Sequence, residues 1–110
     1  MEALVPKLYA TIAIIVAAAA AEAQVGGDAS KGLSHARSVC AECHAVLPSD
    51  TVSPNAKAPT FKAVANTPGM TATALTVWFR SPHPTMPNLI IDPKDKDDLI
   101  TYILSLQDKR

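Results

Sequence analysis

The chain has 110 residues, of which 48% are hydrophobic and 5% aromatic, and its formal net charge is zero. A chain of this length forms one domain at most, and the balanced charge argues against nucleic acid or strongly acidic ligands as partners. Much of the hydrophobic content is alanine, and a small domain with so few large apolar side chains often needs a disulfide, a metal or another non-protein core.

The first 23 residues predict an export signal that precedes the domain. Residues 8–21 form an unbroken apolar run of 14, and the sequence AEA at 21–23 has the small-x-small pattern. A signal-peptide core has about 7–15 apolar residues before such a site, whereas a membrane-spanning helix needs roughly 20. We therefore expect cleavage after Ala23, which leaves a domain of residues 24–110 with nine basic and eight acidic side chains. An uncleaved membrane anchor is the alternative.

The remaining sequence predicts helices and loops and contains no strand-period run of any length. Four helices are predicted, each with its own start signal: Asp28 before 29–40, Thr60 before 61–66, Thr71 at the start of 71–80, and Asp92-Pro93 before a helix that ends near Gln107. Prolines and turn-forming residues predict long loops over 45–58 and 81–91. The third helix carries Leu75, Trp78 and Phe79 at helical spacing, and the last helix has one apolar face. The predicted fold class is therefore all-α.

The two cysteines lie in the sequence Cys40-Ala41-Glu42-Cys43-His44, and three interpretations of the pair compete. A redox dithiol usually accompanies alternating strands and helices, which this sequence does not predict. A structural zinc site usually has four protein ligands, and no second Cys-x-x-Cys or His-x3-His pair lies downstream. The third interpretation is covalent haem attachment, because the run matches the C-x-x-C-H motif.

The spacing within this motif suits the chemistry of attachment. Each thiol adds across one haem vinyl group and forms a thioether, and two intervening residues let both sulfurs reach the vinyl groups on one side of the macrocycle. The histidine directly after the second cysteine then projects toward the iron, for which an imidazole nitrogen is a good ligand. We therefore expect one haem c, bound covalently through Cys40 and Cys43, with His44 as an iron ligand.

With this motif directly after the first helix and an apolar helix at the end, the chain resembles the class I cytochromes c from about Asp28 to Leu106. The resemblance implies a small fold of three to four helices around one covalently bound haem, with the first and last helices crossing near one haem edge. It also implies export to a bacterial periplasm. One departure is Ala36, since the family usually has an aromatic residue four positions before the first cysteine. His35 is expected at the surface of the first helix.

In that family the fifth iron ligand is the motif histidine, here His44, and the sixth is a methionine from a late loop. Met86 has this setting in the proline-rich sequence 84–87, and it follows His44 by 42 residues, enough chain to reach the other face of the macrocycle. The prolines restrict the loop and lower the entropic cost of placing the sulfur. Two alternatives stay open: His83 as a second histidine ligand, and Met70, whose ordinary interpretation is a side chain that fills a gap in the core.

The resemblance also implies roles for several other residues of this chain. The carbonyl group of Pro59 is expected to accept a hydrogen bond from the ligand histidine, which fixes the ring and raises its basicity. Gly32 and Tyr102 are expected where the first and last helices cross, with Leu99 facing the haem. Trp78 is expected either at a haem propionate or as an ordinary core aromatic.

Two filled axial positions leave no open site for a substrate, and the sequence offers no paired nucleophile and base for chemistry of its own. The expected function is therefore single-electron transfer between redox protein partners, by a monomeric periplasmic protein that is not an enzyme. It is either a free carrier or the small electron-transfer subunit of a dehydrogenase or oxidase. A haem-based sensor or ligand-binding protein and a peroxidase-like enzyme are the alternatives. Lys57, Lys62, Lys94 and Lys96 either ring the haem edge or are scattered surface charges.

Overall fold

The computed structural model describes residues 26–87 and 89–109, so the predicted export signal and its cleavage site lie outside the described residues. Within these ranges the chain is helical and has no strand, which confirms the predicted all-α class. The elements are α1 (Ala29–His35), a π-helical segment that extends it (Ala36–Cys40), α2 (Phe61–Ala65), α3 (Ala72–Arg80) and α4 (Pro93–Ser105). None of the helices in the described ranges has the length and apolar character needed to cross a membrane.

Side-chain caps explain where three of the helices begin. The Asp28 carboxylate accepts hydrogen bonds from the backbone N–H groups of Ser30 and Lys31, at 2.8 and 3.2 Å. The hydroxyl groups of Thr60 and Thr71 each accept a bond from the N–H three residues later, at 3.0 and 3.1 Å. These bonds satisfy backbone donors that have no partner within the first helical turn. The three predicted starts are confirmed.

The start of α4 differs from the prediction in one respect. Asp92 stands at the N-cap position and Pro93 opens the helix, but the Asp92 carboxylate accepts no backbone N–H. A cap bond would come from the N–H of Lys94 or Asp95, and the exposed carboxylate of Asp92 is instead open to water. The helix start instead depends on the fixed φ angle of proline and on Asp95, whose negative charge is favourable in the first turn.

The second half of the first predicted helix is π-helical rather than α-helical. Its wider turn closes where the N–H of Ala41 donates to the carbonyl of Ala36, five residues earlier, at 3.0 Å. Ala36 is completely buried, and the segment ends at Cys40, the first residue of the C-x-x-C-H motif. π-helical turns of this kind are frequent at functional sites. Ala36, which stands where the family usually has an aromatic residue, is therefore also the residue at which the helix changes from α to π.

Helix α4 is the centre of the fold, and it packs against α1, α2 and α3. Where α1 crosses α4, a Cβ atom on Gly32 would stand 2.0 Å from the carbonyl oxygen of Asp98 and 2.7 Å from the Cβ of Tyr102. The buried carboxylate of Asp98 also accepts a hydrogen bond from the N–H of Asp28 at 2.8 Å, which ties the start of α1 to α4. The predicted positions of Gly32 and Tyr102 at the crossing are confirmed.

The core combines the inward faces of all four helices with the chain that follows the motif. Its buried members are Ala36, Cys40, Val46, Phe61, Ala65, Leu75, Leu99, Ile100, Tyr102, Ile103 and Leu106. Half of the large apolar side chains in this set come from α4, as its predicted apolar face requires, while Leu104 is only partly buried. The two aromatic side chains, Phe61 and Tyr102, reach toward the motif from α2 and α4, so the core and the motif share residues.

Substitution of Gly32 by alanine tests the helix crossing. The added Cβ would lie 2.0 Å from a backbone oxygen, which no side-chain rotation relieves, so the helices have to separate. We expect the free energy of unfolding, measured by urea denaturation, to fall by about 3 kcal/mol, the upper end of the usual range for overpacking. Gly26→Ala is the matched control, because a Cβ at Gly26 meets nothing within 4 Å. Equal stability of the two variants would contradict the crossing.

Candidate functional site

A cavity of about 440 Å³ lies between the motif, helices α2 and α3, and the loop that follows α3. Its volume falls within the roughly 300–1,000 Å³ that is typical of ligand and cofactor pockets. Five of the six predicted site residues line it, namely Cys43, His44, Pro59, Trp78 and Met86. The remaining one, Cys40, is buried at the end of the π-helical segment and is not among the residues that line the cavity. The structure therefore brings the distant parts of the predicted site together.

One hydrogen bond orients the ring of His44. Its Nδ1 atom lies 2.6 Å from the carbonyl oxygen of Pro59, and because a carbonyl oxygen can only accept, Nδ1 carries the proton and donates. In the neutral imidazole the other nitrogen, Nε2, then has a free lone pair for a metal ion. The ring also packs against Phe61, with 5.3 Å between the ring centroids and a tilt of 53°. His44 thus offers one defined nitrogen as a ligand.

Backbone hydrogen bonds hold the chain on both sides of His44. The N–H of His44 donates to the carbonyl of Cys40 at 2.9 Å, which makes a turn directly after the π-helical segment. The N–H of Ala45 donates to the buried hydroxyl of Ser53 at 3.0 Å. The carbonyl of Ala45 accepts the N–H of Phe61 at 2.9 Å. Because three separate parts of the chain contact this short stretch, the position of His44 is well determined.

The two cysteines have free thiols and different surroundings. Cys43 is exposed and lies on the cavity wall, whereas Cys40 is buried. Burial raises the pKa of the Cys40 thiol to about 11, so this thiol is protonated at neutral pH, and a protonated thiol is a poor nucleophile. The N–H of Cys43 donates to the carbonyl of Cys40 at 3.2 Å, which keeps both residues in one turn.

The end of α3 and the loop after it supply Trp78, His83 and Met86 to the same cavity. The side chain of Trp78 is 55% exposed, so the alternative that it is an ordinary core aromatic is wrong. The Nε2 atom of His83 donates to the carbonyl of Trp78 at 2.7 Å, and the two rings stack with their centroids 3.8 Å apart. These contacts place His83 at the rim, beside the indole.

Two expectations about single residues are wrong. Leu99 is fully buried in the core and does not line the cavity; Leu75 of α3 is the buried apolar side chain on that wall. Helix α4 packs against α1, α2 and α3, and the described cavity wall contains Ala74, Leu75 and Trp78 of α3 but no residue of α4. His35 is partly buried, and its Nε2 atom is buried without a hydrogen-bond partner among the described residues, so the expected surface position does not hold.

The cavity wall is largely apolar, and Lys57 is the lysine on it among the described residues. The four lysines do not form a ring there. Lys62 pairs instead with Asp108 at 3.8 Å, and Lys94 and Lys96 belong to the first turn of α4. Lys57 is therefore the described lysine that is available on the cavity wall to pair with an acidic group.

Sequence reasoning missed the wall that α2 contributes. Ala63 and Val64 of α2 line the cavity, and so does Thr67, two residues after the helix ends at Ala65. Met70 lines it as well, although it also packs against the core. A helix as short as α2 has too few turns for the periodicity of its sequence to show which face meets a cavity.

Comparison with known proteins identifies the class of this protein. No family model matches the chain, and no solved structure matches it significantly. Cytochrome c-552 of Bradyrhizobium diazoefficiens is 30% identical to it over 94 residues, which cover 86% of this chain and 89% of that protein. The chain therefore belongs to the c-type cytochromes. It is a haem electron-transfer protein, with the small all-α fold of a class I member.

The residues on the cavity wall fit a haem. Imidazole nitrogen and thioether sulfur are donors that haem iron takes, and His44, Met86 and Met70 supply them to this one cavity. The apolar walls suit the macrocycle, and the exposed thiol of Cys43 precedes His44 on the same wall. The donor set and the wall chemistry therefore agree with the class of protein.

Proposed function

We propose that this cytochrome carries single electrons through one haem c, bound covalently through Cys40 and Cys43 and ligated by His44 and Met86. The strongest support is the geometry of His44. Donation from its Nδ1 to the Pro59 carbonyl leaves Nε2 as the ligand atom, on the wall of a cavity that Met86 also lines. When bound, haem supplies an iron that alternates between the ferrous and ferric states and so takes up and releases one electron at a time.

His44 is the proposed fifth ligand, and its neighbours hold it in place. The hydrogen bond to Pro59 fixes the ring and raises the basicity of the ligating nitrogen. Phe61 packs against the same ring from α2. A ligand held from two sides needs little rearrangement when the charge on the iron changes, and small rearrangement favours fast electron transfer.

Met86 is the proposed sixth ligand, and the contacts of the two alternatives support this choice. His83 already uses Nε2 to donate to the Trp78 carbonyl, and its ring is stacked on the indole. Met70 packs against the hydrophobic core, as a gap-filling side chain does. Met86 is not part of the core and lies on the cavity wall. Thioether ligation favours the ferrous state and raises the reduction potential.

Ligation by two side chains supports a carrier over the other functions. With both axial positions filled by protein, a small ligand or substrate has no free coordination site, so neither a sensor nor a peroxidase-like enzyme is favoured. The proposed partners are a redox protein that donates the electron and another that accepts it. The protein acts as a monomer in the periplasm after removal of residues 1–23, either as a free carrier or as the small subunit of a dehydrogenase or oxidase.

Replacement of Met86 by alanine tests the sixth ligand. We expect the reduced wild-type protein to bind carbon monoxide poorly at neutral pH and reduced Met86→Ala to bind it readily, because the substitution opens an axial position. Absorption spectra recorded under increasing carbon monoxide measure this difference. Met70→Ala is the matched control and should behave like the wild type. If Met86→Ala leaves carbon monoxide binding unchanged, the ligand assignment is rejected, and ready binding by the wild type would favour the sensor.

The double substitution Cys40→Ala with Cys43→Ala tests covalent attachment. Both variant and wild type are expressed with the haem-attachment machinery and run on a denaturing gel. The wild type should stain for haem at its own mass, and the double variant should not stain, because it has no thiol left to form a thioether. Staining that persists in the double variant would contradict attachment through these residues.

The mass of the exported protein tests the proposed signal. We expect the full-length chain, expressed in a bacterium, to yield periplasmic protein that begins at Gln24. Ala23→Tyr places a bulky residue at the cleavage site and should leave residues 1–23 attached and the protein in the membrane fraction. Wild-type protein that keeps residues 1–23 and stays with membranes would support the uncleaved anchor instead.

A further inference from the structure

The carbonyl group of Trp78 accepts two hydrogen bonds at the C-terminal end of α3. One comes from the N–H of Ser81 at 3.1 Å and the other from Nε2 of His83 at 2.7 Å. The last carbonyls of an α-helix have no intrahelical donor, so a side chain that turns back and donates to one of them caps the helix. The His83 ring also stacks on the indole with an interplanar angle of 19°. A polar and an aromatic contact therefore tie His83 to α3.

The loop that follows has few other attachments. Three of the residues in 82–87 are prolines, which have no backbone N–H. Within the described part of the loop, residues 82–87 and 89–91, the bond from His83 is the hydrogen bond that reaches a helix. Met86 comes three residues after His83. The position of its sulfur therefore depends on how firmly His83 is held.

We propose that His83 is a positioning residue that keeps Met86 at the iron. Its contacts with Trp78 move the last fixed point of the chain from Ser81, which is bonded to the end of α3, to His83, three residues before Met86. A shorter free segment raises the effective concentration of the sulfur at the iron. The six-coordinate state is then favoured over one in which the sulfur has moved away. This inference rests on the proposed ligation by His44 and Met86.

Two substitutions of His83 separate its hydrogen bond from its ring. His83→Phe keeps a ring for the stack and removes the donor, whereas His83→Gln keeps an N–H donor and removes the ring. We expect His83→Phe to speed carbon monoxide binding to the reduced protein roughly two- to tenfold, the factor that corresponds to one ordinary hydrogen bond. The reduction potential should fall in the same variant, because methionine ligation raises it. His83→Gln should restore both values most of the way to the wild type.

Ser81→Ala is the matched control for these variants. The hydroxyl of Ser81 donates to the carbonyl of Val77 at 2.8 Å, so the substitution removes a side-chain hydrogen bond from the same helix end. Ser81 does not line the 440 Å³ cavity. We expect Ser81→Ala to lower the denaturation midpoint while leaving carbon monoxide binding and the reduction potential unchanged. If Ser81→Ala and His83→Phe change all three measurements alike, His83 merely stabilises the helix end, and the positioning role is overturned.

The same measurements distinguish a failure of this inference from a failure of the proposed function. If Met86→Ala opens the iron to carbon monoxide while His83→Phe matches the wild type, the ligation stands and the positioning role is rejected. If Met86→Ala changes nothing, the proposed ligation is rejected and the inference falls with it. If the variants of His83 open the iron and Met86→Ala does not, His83 is itself the ligand, which also overturns a positioning role.

Discussion

The close approach of α1 to α4 at Gly32 is the constraint on which the rest of the site depends. With no side chain at this position, the backbone of α1 rests directly on the carbonyl of Asp98. Helix α1 continues into the π-helical segment, so the crossing also places the motif that follows it. Tyr102, on the same part of α4, donates a hydrogen bond from its hydroxyl to the carbonyl of Val46, two residues after His44. The packing of α1 and α4 therefore positions the chain before and after His44.

The composition of the chain and the form of the cavity have a common explanation. The described core takes half of its large apolar side chains from α4, and the walls of the cavity include small residues such as Ala58, Ala63 and Ala74. Small side chains leave room for a flat, apolar group against α2 and α3. Haem therefore adds apolar contact area that this short chain does not supply by itself, in the way that small domains gain stability from a bound non-protein group.

Features set by local sequence were predictable, and features set by tertiary packing were not. Asp28 and Thr60 cap helices because the signal and its effect lie within one turn, and the C-x-x-C-H motif indicates attachment chemistry by itself. The π-helical segment was not predictable, because five residues do not separate a π from an α periodicity. Whether Leu75 or Leu99 faces the cavity depends on how α3 and α4 pack, which neither helix encodes alone. The positions of Gly32 and Tyr102 at the helix crossing were predicted from the resemblance to class I cytochromes c, because the periodicity of the sequence does not predict them.

The two proposed iron ligands are held by forces of different strength. His44 is fixed by backbone hydrogen bonds, by the Pro59 carbonyl and by the ring of Phe61. Met86 is held by stiff prolines and by a side-chain bond from His83. A single hydrogen bond contributes about 1 kcal/mol, whereas whole domains are stable by about 5–15 kcal/mol. Substitutions in the loop can therefore change the proposed bond between the Met86 sulfur and the iron, and with it the reduction potential, while the fold around His44 stays intact.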